Sequence, residues 1–234
     1  MSKVVILGNG ILGKELCTQT GWDYISRNKD GFDALNPNFH PLITHEHGAI
    51  FYPKYDTIVN CIANTDSYSK DLKSHLDVNY KFVVSLVDFC KKWKIKLVHI
   101  STEFVYANNI NLPKETDLPL PDNTWYAKTK LLADHYISCI CDDYLICREL
   151  HKNNNFSPKY VWDVKTSGDK VKNITPIIVE LINKKATGIF NVGTGIKTLH
   201  QLHPEGELTS APDFVPKDTS MNINKLKKFL NEYN

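Results

Sequence analysis

No stretch of this chain is long and apolar enough to span a bilayer, and Gly8 arrives too early for the opening residues to form a signal-peptide core. A cytosolic protein is expected. No charge of one sign accumulates either: 28 Lys and Arg face 26 Asp and Glu, leaving a formal charge of +2. That balance excludes a nucleic-acid backbone as an expected partner. The six cysteines, Cys17, Cys61, Cys90, Cys139, Cys141 and Cys147, contain no C-x-x-C pair, so they read as reduced core thiols. His45-Glu46-His47 has no further ligand nearby, so no metal site is expected and residues 40–55 read as a polar loop. Internal repeats, linkers and low-complexity segments are also missing, which points to one domain spanning residues 1–234.

What is present begins with Val4-Val5-Ile6-Leu7, an apolar run suited to a central parallel strand covered on both faces. It leads into Gly8-Asn9-Gly10-Ile11-Leu12-Gly13, a G-x-G-x-x-G at a strand-to-helix junction. Its glycines suit a tight turn, close approach of a pyrophosphate and close helix packing, and the helix N-terminus favours phosphate charge. The second strand, expected at residues 22–25, runs into Ser26-Arg27-Asn28-Lys29. No carboxylate stands there to bind a ribose 2′-hydroxyl, and Arg27 is placed to meet a 2′-phosphate, so NADPH is favoured over NADH.

The stretch around which the chain is organised is a buried strand, Lys96 to Ile100, ending in Ser101-Thr102, followed after a proline-containing loop by Tyr126-Ala127-Lys128-Thr129-Lys130. A Tyr and a Lys four apart on a helix share a face. A cation there favours the phenolate, and a strand-end hydroxyl supplies a second bond to the same substrate oxygen. Thr102, Tyr126 and Lys130 therefore read as a proton-transfer site for a carbonyl or alcohol. The helix expected over residues 74–93 carries two apolar seams. Leu76, Val83, Val87 and Cys90 form one, and Val78, Phe82, Phe89 and Trp93 form the other. The second seam implies either a homodimer or cover by the C-terminal segment. Further strands are expected at residues 57–63, 143–148 and 188–193. Further helices are expected at residues 125–140, from the Thr175-Pro176 cap to residue 183, and at residues 222–232.

Together the glycine fingerprint, the strand-end Ser-Thr and the Y-x-x-x-K resemble the extended short-chain dehydrogenase/reductase superfamily. Within it, residues 59–65, 99–106, 126–130 and 216–226 are most similar to the dTDP-4-dehydrorhamnose reductase family. The resemblance implies an α/β fold, a Rossmann-type doubly wound parallel sheet with a small C-terminal cap. It divides the chain into a core of about residues 1–150 plus 186–195 and a substrate cap from about 151–185 and 196–234. It also implies an NADP site formed by Gly8 to Gly13, Ser26, Arg27, Asp33, Ala34, Leu35, Cys61, Ile62, Ala63, Tyr126 and Lys130. Ser101, Thr102, Glu103 and Asn155 are the implied contacts to a nucleotide-sugar substrate, and Asn79 is implied as a structural bond to a strand backbone.

Two departures from that family are visible: Ile11 replaces the usual Gln of the phosphate loop, and the segment after Arg148 is short for a full sugar-nucleotide cap. The acid pair of the dehydratases is reduced to Glu103-Phe104, and the Cys of the epimerase-reductases is replaced by Glu103. The expected activity is NADPH-dependent reduction of a 4-keto sugar, with Tyr126 as proton donor. A non-catalytic regulatory subunit of the same fold and a 4-epimerase with tightly held NAD remain as alternatives.

Overall fold

Buried aliphatic runs alternating with amphipathic helices set the architecture of the computed structural model, which describes residues 3–46 and 50–231. Six strands, β1 (Val4–Leu7), β2 (Asp23–Ile25), β3 (Thr57–Asn60), β4 (Lys96–Thr102), β5 (Tyr144–Glu149) and β6 (Gly188–Asn191), form one sheet. Its order is β6-β5-β4-β3-β1-β2 and every pairing is parallel. Successive side chains of a strand point to opposite faces. Val4 and Ile6 accordingly enter one core, whereas Val5 and Leu7 enter the other.

The first core lies under α1 (Ile11–Thr20), and the second lies under α2 (Phe82–Trp93) and α3 (Trp125–Ile140). The doubly wound parallel sheet expected from the sequence is thus present. Helix α2 is continued at its N-terminal side by a π-helical turn, Asp77–Lys81, and by Leu72–Leu76. Within the π turn Asn79 accepts from Asn64 N at 2.8 Å and donates to Asn64 O at 3.1 Å, tying the helix to the chain leaving β3. Among the described residues no helix is long and apolar enough to cross a membrane.

Several expectations are corrected. Helix α4 (Val171–Asn183) starts four residues before the expected Thr175 cap, and Pro176 lies inside it. Proline has no N–H to give the carbonyl one turn back. That carbonyl, Lys172 O, accepts instead from Gln19 Nε2 of α1 at 3.5 Å. The inner face of α4, including Ile174, Ile178 and Leu181, packs in the same core as Leu12 and Leu16, so this helix covers the sheet and does not belong to the cap. Helix α5 (Asn224–Asn231) places Leu226 in that core as well. The cap therefore comprises about residues 151–170 and 196–221, where short strand pairs surround Val164, Ala211 and Val215.

The expected polar loop at 40–55 is an antiparallel hairpin, Ile43–Glu46 with Ile50–Pro53, and His47 lies outside the described residues. Of the six free cysteines, Cys139 is exposed and is no core thiol.

The second seam of the long helix has an occupant that the sequence did not suggest. Phe32 meets Phe82 edge-on at 6.0 Å, and Phe39 stacks on Phe89 at 4.7 Å. The chain's own segment after β2 thus packs on Phe82 and Phe89 of the seam. Phe39→Ala should lower stability by about 2 kcal/mol, below the range for a fully buried Phe because Phe39 is only half-buried. Urea unfolding of both proteins checks this, and an unchanged midpoint would show that Phe39 does not cover the seam.

Candidate active site

At the carboxyl end of the sheet, the loops after β1, β3, β4 and β5 enclose two adjoining hollows of about 530 and 640 Å³, which share Gly10, Cys61 and Ala63. The outer hollow gathers the residues expected to hold a dinucleotide. Gly8, Asn9, Ser26 and Arg27 line it from one side, and Cys61, Ile62 and Ala63 from another. Asp33, Ala34 and Leu35 close it.

The glycines behave as their spacing requires. Gly8 has φ +96°, and a Cβ there would come within 2.9 Å of Ile62 Cγ1. A Cβ on Gly13 would strike Gly8 O at 2.1 Å, so the third glycine lets α1 sit directly on the turn. At Gly10 a Cβ would meet nothing within 4 Å, because the residue faces the open cleft. No side chain caps α1, leaving its N-terminal amides to a ligand.

At the end of β2, Ser26 caps a short turn by accepting from Lys29 N at 3.3 Å. Arg27 Nη2 bonds Asp33 Oδ1 at 2.7 Å, an exposed pair, so the two residues expected to meet different parts of a ligand also hold each other. The Leu35 N–H and then Arg27 hold Asp33 below the ordinary carboxylate range. The sequence missed Asp30, which accepts from Ser26 N at 2.9 Å and so brings a carboxylate back to the strand end, although Asp30 does not line the hollow.

The inner hollow holds the residues expected to transfer a proton. Ser101, Thr102 and Glu103 reach it from the end of β4, and Tyr126 and Lys130 from the first turns of α3, whose N-cap Thr124 accepts from Ala127 N. The Tyr126 ring lies edge-to-face with Phe104 at 6.1 Å and with His75 at 6.3 Å. Burial raises the Tyr126 hydroxyl to about 12, the Thr102 hydrogen bond pulls it down, and Glu149, Glu103 and Asp134 push it further up. Tyr126 is thus a neutral phenol at physiological pH. The cationic neighbour expected to favour the phenolate is directed elsewhere: Lys130 Nζ donates to Ile100 O at 2.5 Å and lies 3.1 Å from His99 Nε2. Burial lowers Lys130 to about 8, against the raising influence of Asp134, Glu149 and Cys61. Ser101 Oγ is buried with no hydrogen-bond partner among the described residues, so it is free for a ligand.

One turn beyond Lys130, Asp134 Oδ2 accepts from Arg148 Nε at 3.0 Å, in a pair almost closed to solvent. Arg148 also bonds the Tyr106 hydroxyl and lies over its ring at 4.8 Å.

Asn155 is not brought to the site. It is exposed in a turn where Asn154 bonds Glu15 and Lys172 N, which holds the segment against α1 and α4 and away from the cleft. In its place the cap sends Thr166 and Thr219, both of which donate to the buried Glu103 carboxylate. Glu149 and His151, 2.9 Å apart, and Lys152 also line the hollow. Nothing in their spacing marks Thr166 or Thr219. Glu149 was detectable as a charged residue closing an apolar strand run.

The RmlD substrate binding domain model matches residues 2–157. The chain belongs to that family. Among its relatives is the spore coat polysaccharide biosynthesis protein SpsK of Bacillus subtilis strain 168, 29% identical over 166 residues, which are 67% of this chain and 56% of SpsK. The chain thus spans a little over half the length of that relative. Two solved structures share the RmlD-type fold. A dTDP-4-dehydrorhamnose reductase of Bacillus anthracis str. Ames in complex with NADP has a TM-score of 0.78 at 19% identity, covering 97% of this chain and 92% of its own. A UDP-glucuronic acid 4-epimerase of Bacillus cereus in complex with NAD has a TM-score of 0.74 at 16% identity, covering 97% and 90%.

Glu103 gives this RmlD-family site a measurable pH signature. Burial raises its carboxyl to about 7, opposed by the Thr219 and Thr166 bonds and by Lys152. Between about pH 4.5 and 7 the native state then holds more protons than the unfolded chain, so stability should fall as pH rises through that window, by at most about 3 kcal/mol. Melting temperature followed against pH should show this slope, and Glu103→Gln should flatten it. An equal slope in both proteins would remove Glu103 as its source.

Proposed function

We propose that this protein reduces the 4-keto group of a nucleotide-activated deoxysugar with NADPH. The observation that carries the reading is the convergence of Thr102, Tyr126 and Lys130 in one hollow that opens directly onto a glycine-lined helix end. The open face of Gly10 and the uncapped start of α1 suit a dinucleotide pyrophosphate. Ser26 and Arg27 suit the 2′-phosphate, Asp33 the adenine edge, and Lys130 the ribose nearest the chemistry. Bound there, the cofactor would supply a hydride.

The chain's own residues supply the rest. A neutral Tyr126 is the protonation state that reduction needs, since the phenol must give its proton to the ketone oxygen. Thr102 donates to the same oxygen and orients it, with Ser101 as a further donor. Glu103 is engaged by two threonine hydroxyls, which leaves it poorly placed to strip a proton from the sugar and favours simple reduction over epimerisation. The cap residues around Trp162 and Val215 would cover the sugar nucleotide.

NADPH oxidation measured against a panel of 4-keto-6-deoxy nucleotide sugars tests the reading. Tyr126→Phe should lower kcat by about 10² or more with cofactor binding kept. Normal turnover by that variant would overturn the assignment of the donor, and no turnover of any panel member by the wild type would favour a binding protein that has kept the fold. In cofactor titrations the wild type should prefer NADPH, and Arg27→Ala should cut the preference about tenfold, the worth of one partly exposed charge-assisted bond to phosphate. A wild-type preference for NADH would defeat this part of the proposal.

A further inference from the structure

Behind the cleft, inside the sheet, three buried polar side chains stand in a row. Asn60 ends β3, His99 lies beside it on β4 in direct register, and Lys130 reaches them from α3. Asn60 Nδ2 is 3.2 Å from His99 Nδ1, and His99 Nε2 is 3.1 Å from Lys130 Nζ. The row is anchored at its far end, where Asn60 Oδ1 accepts from Ile62 N at 3.0 Å.

Hydrogen-bond direction propagates along this row. With its oxygen taken by the Ile62 N–H, Asn60 can offer His99 only its amide N–H, so Nδ1 must accept. A neutral imidazole that accepts at Nδ1 carries its proton at Nε2. That proton points at Lys130, whose nitrogen can receive it only through a lone pair. We infer that Asn60 and His99 form a buried tautomer lock that favours the free amine of Lys130, which then donates to Ile100 O and accepts from His99 Nε2–H.

Burial favours the free amine, and the acidic groups around the lysine oppose it. Burial, joined by the Lys130 charge when that is present, holds His99 well below its ordinary range, so the ring stays neutral. Lys130 is faced by Asp134 on its own helix, by Glu149 from β5 and by Cys61 after β3, and these favour its charged form. Asp134 is engaged by Arg148 and Glu149 by His151. For Lys130 to gain its one proton, the His99 ring proton must move to Nδ1 and Asn60 must turn its oxygen toward the ring. Ile62 N then loses its acceptor. Because Ile62 lines the nucleotide hollow, the charge on Lys130 and the hydrogen bonding of the cleft wall are linked. His99 and Asn60 are positioning residues that act through Lys130.

The test is a spectroscopic titration of the full chain. With 15N-labelled histidine, long-range proton–nitrogen spectra at pH 9.5, above the titration of Lys130, should show His99 bare at Nδ1 and protonated at Nε2, the signal being assigned by its loss in His99→Gln. With 13C at the lysine ε-carbon, the resonance lost in Lys130→Met should titrate near 8. Asn60→Asp keeps an oxygen for Ile62 N and turns a second oxygen to Nδ1, so the ring proton should move to Nδ1 and Lys130 should titrate at least one pH unit higher. His99→Gln, which offers the lysine an amide oxygen without adding charge, should move it the same way. A wild-type ring protonated at Nδ1 at pH 9.5, or a Lys130 titration unmoved in the folded variants, would overturn the lock, and if Asn60→Asp fails to fold the wild-type spectrum and His99→Gln decide alone. The lock's part in catalysis rests on the reductase reading, but none of these measurements requires turnover. A chain that passes them and reduces no ketone would sink the proposed function and leave the lock standing.

Discussion

The ion pair between Asp134 and Arg148 fixes the rotation of α3 against the sheet, and the site depends on that rotation. Tyr126, Lys130 and Asp134 follow one another at single-turn intervals, so they form one polar stripe on the buried side of the helix. Two of them are bound to strands, Lys130 to Ile100 O and Asp134 to Arg148, and Tyr126 faces the hollow that Thr102 lines at the end of β4. A buried ion pair adds little net stability compared with apolar packing, but losing one partner leaves an uncompensated charge, at about 3–5 kcal/mol. Such a contact tolerates one register and penalises its neighbours. Turning α3 by a single residue would carry the Tyr126 hydroxyl away from Thr102.

Polar groups at the inner hollow come from both sheet and cap, and Glu103 joins the two. It follows Thr102 directly, yet its partners Thr166 and Thr219 lie on cap segments far along the chain. The residue that follows β4 therefore also holds the cap segments against it. This explains how a short cap keeps its place: two hydroxyl bonds to one buried carboxyl, with Val164, Ala211 and Val215 packed beside them, take the place of a larger interface.

The sheet and the glycine turn were legible because both rest on local rules: an apolar run bounded by a G-x-G-x-x-G has few ways to fold. That Tyr126 and Thr102 would face one hollow was legible for the same reason, since helical spacing and strand ends are local. Contacts decided by distant residues were not. Phe32 and Phe39 carry no mark assigning them to the seam of α2, and the start of α4 at Val171 depends on Gln19 accommodating the carbonyl that Pro176 cannot serve. The hairpin at 43–53 was hidden by polar residues that do not alternate cleanly. The direction of the Lys130 amine turned on His99, which in sequence is only one more member of a strand.

The packing of α4 on α1 also bears on how the molecule is made. Gln19 and Lys172 touch across 153 residues of chain, and the apolar side of α1 shares its core with Ile174 and Ile178. Synthesis delivers the N-terminal part first. The phosphate-loop helix thus leaves the ribosome with its inner face bare and stays so until the C-terminal third has followed. During that interval Leu12 and Leu16 are open to chaperones or to neighbouring nascent chains, and translation halted after β5 would release a sheet with one of its two walls incomplete.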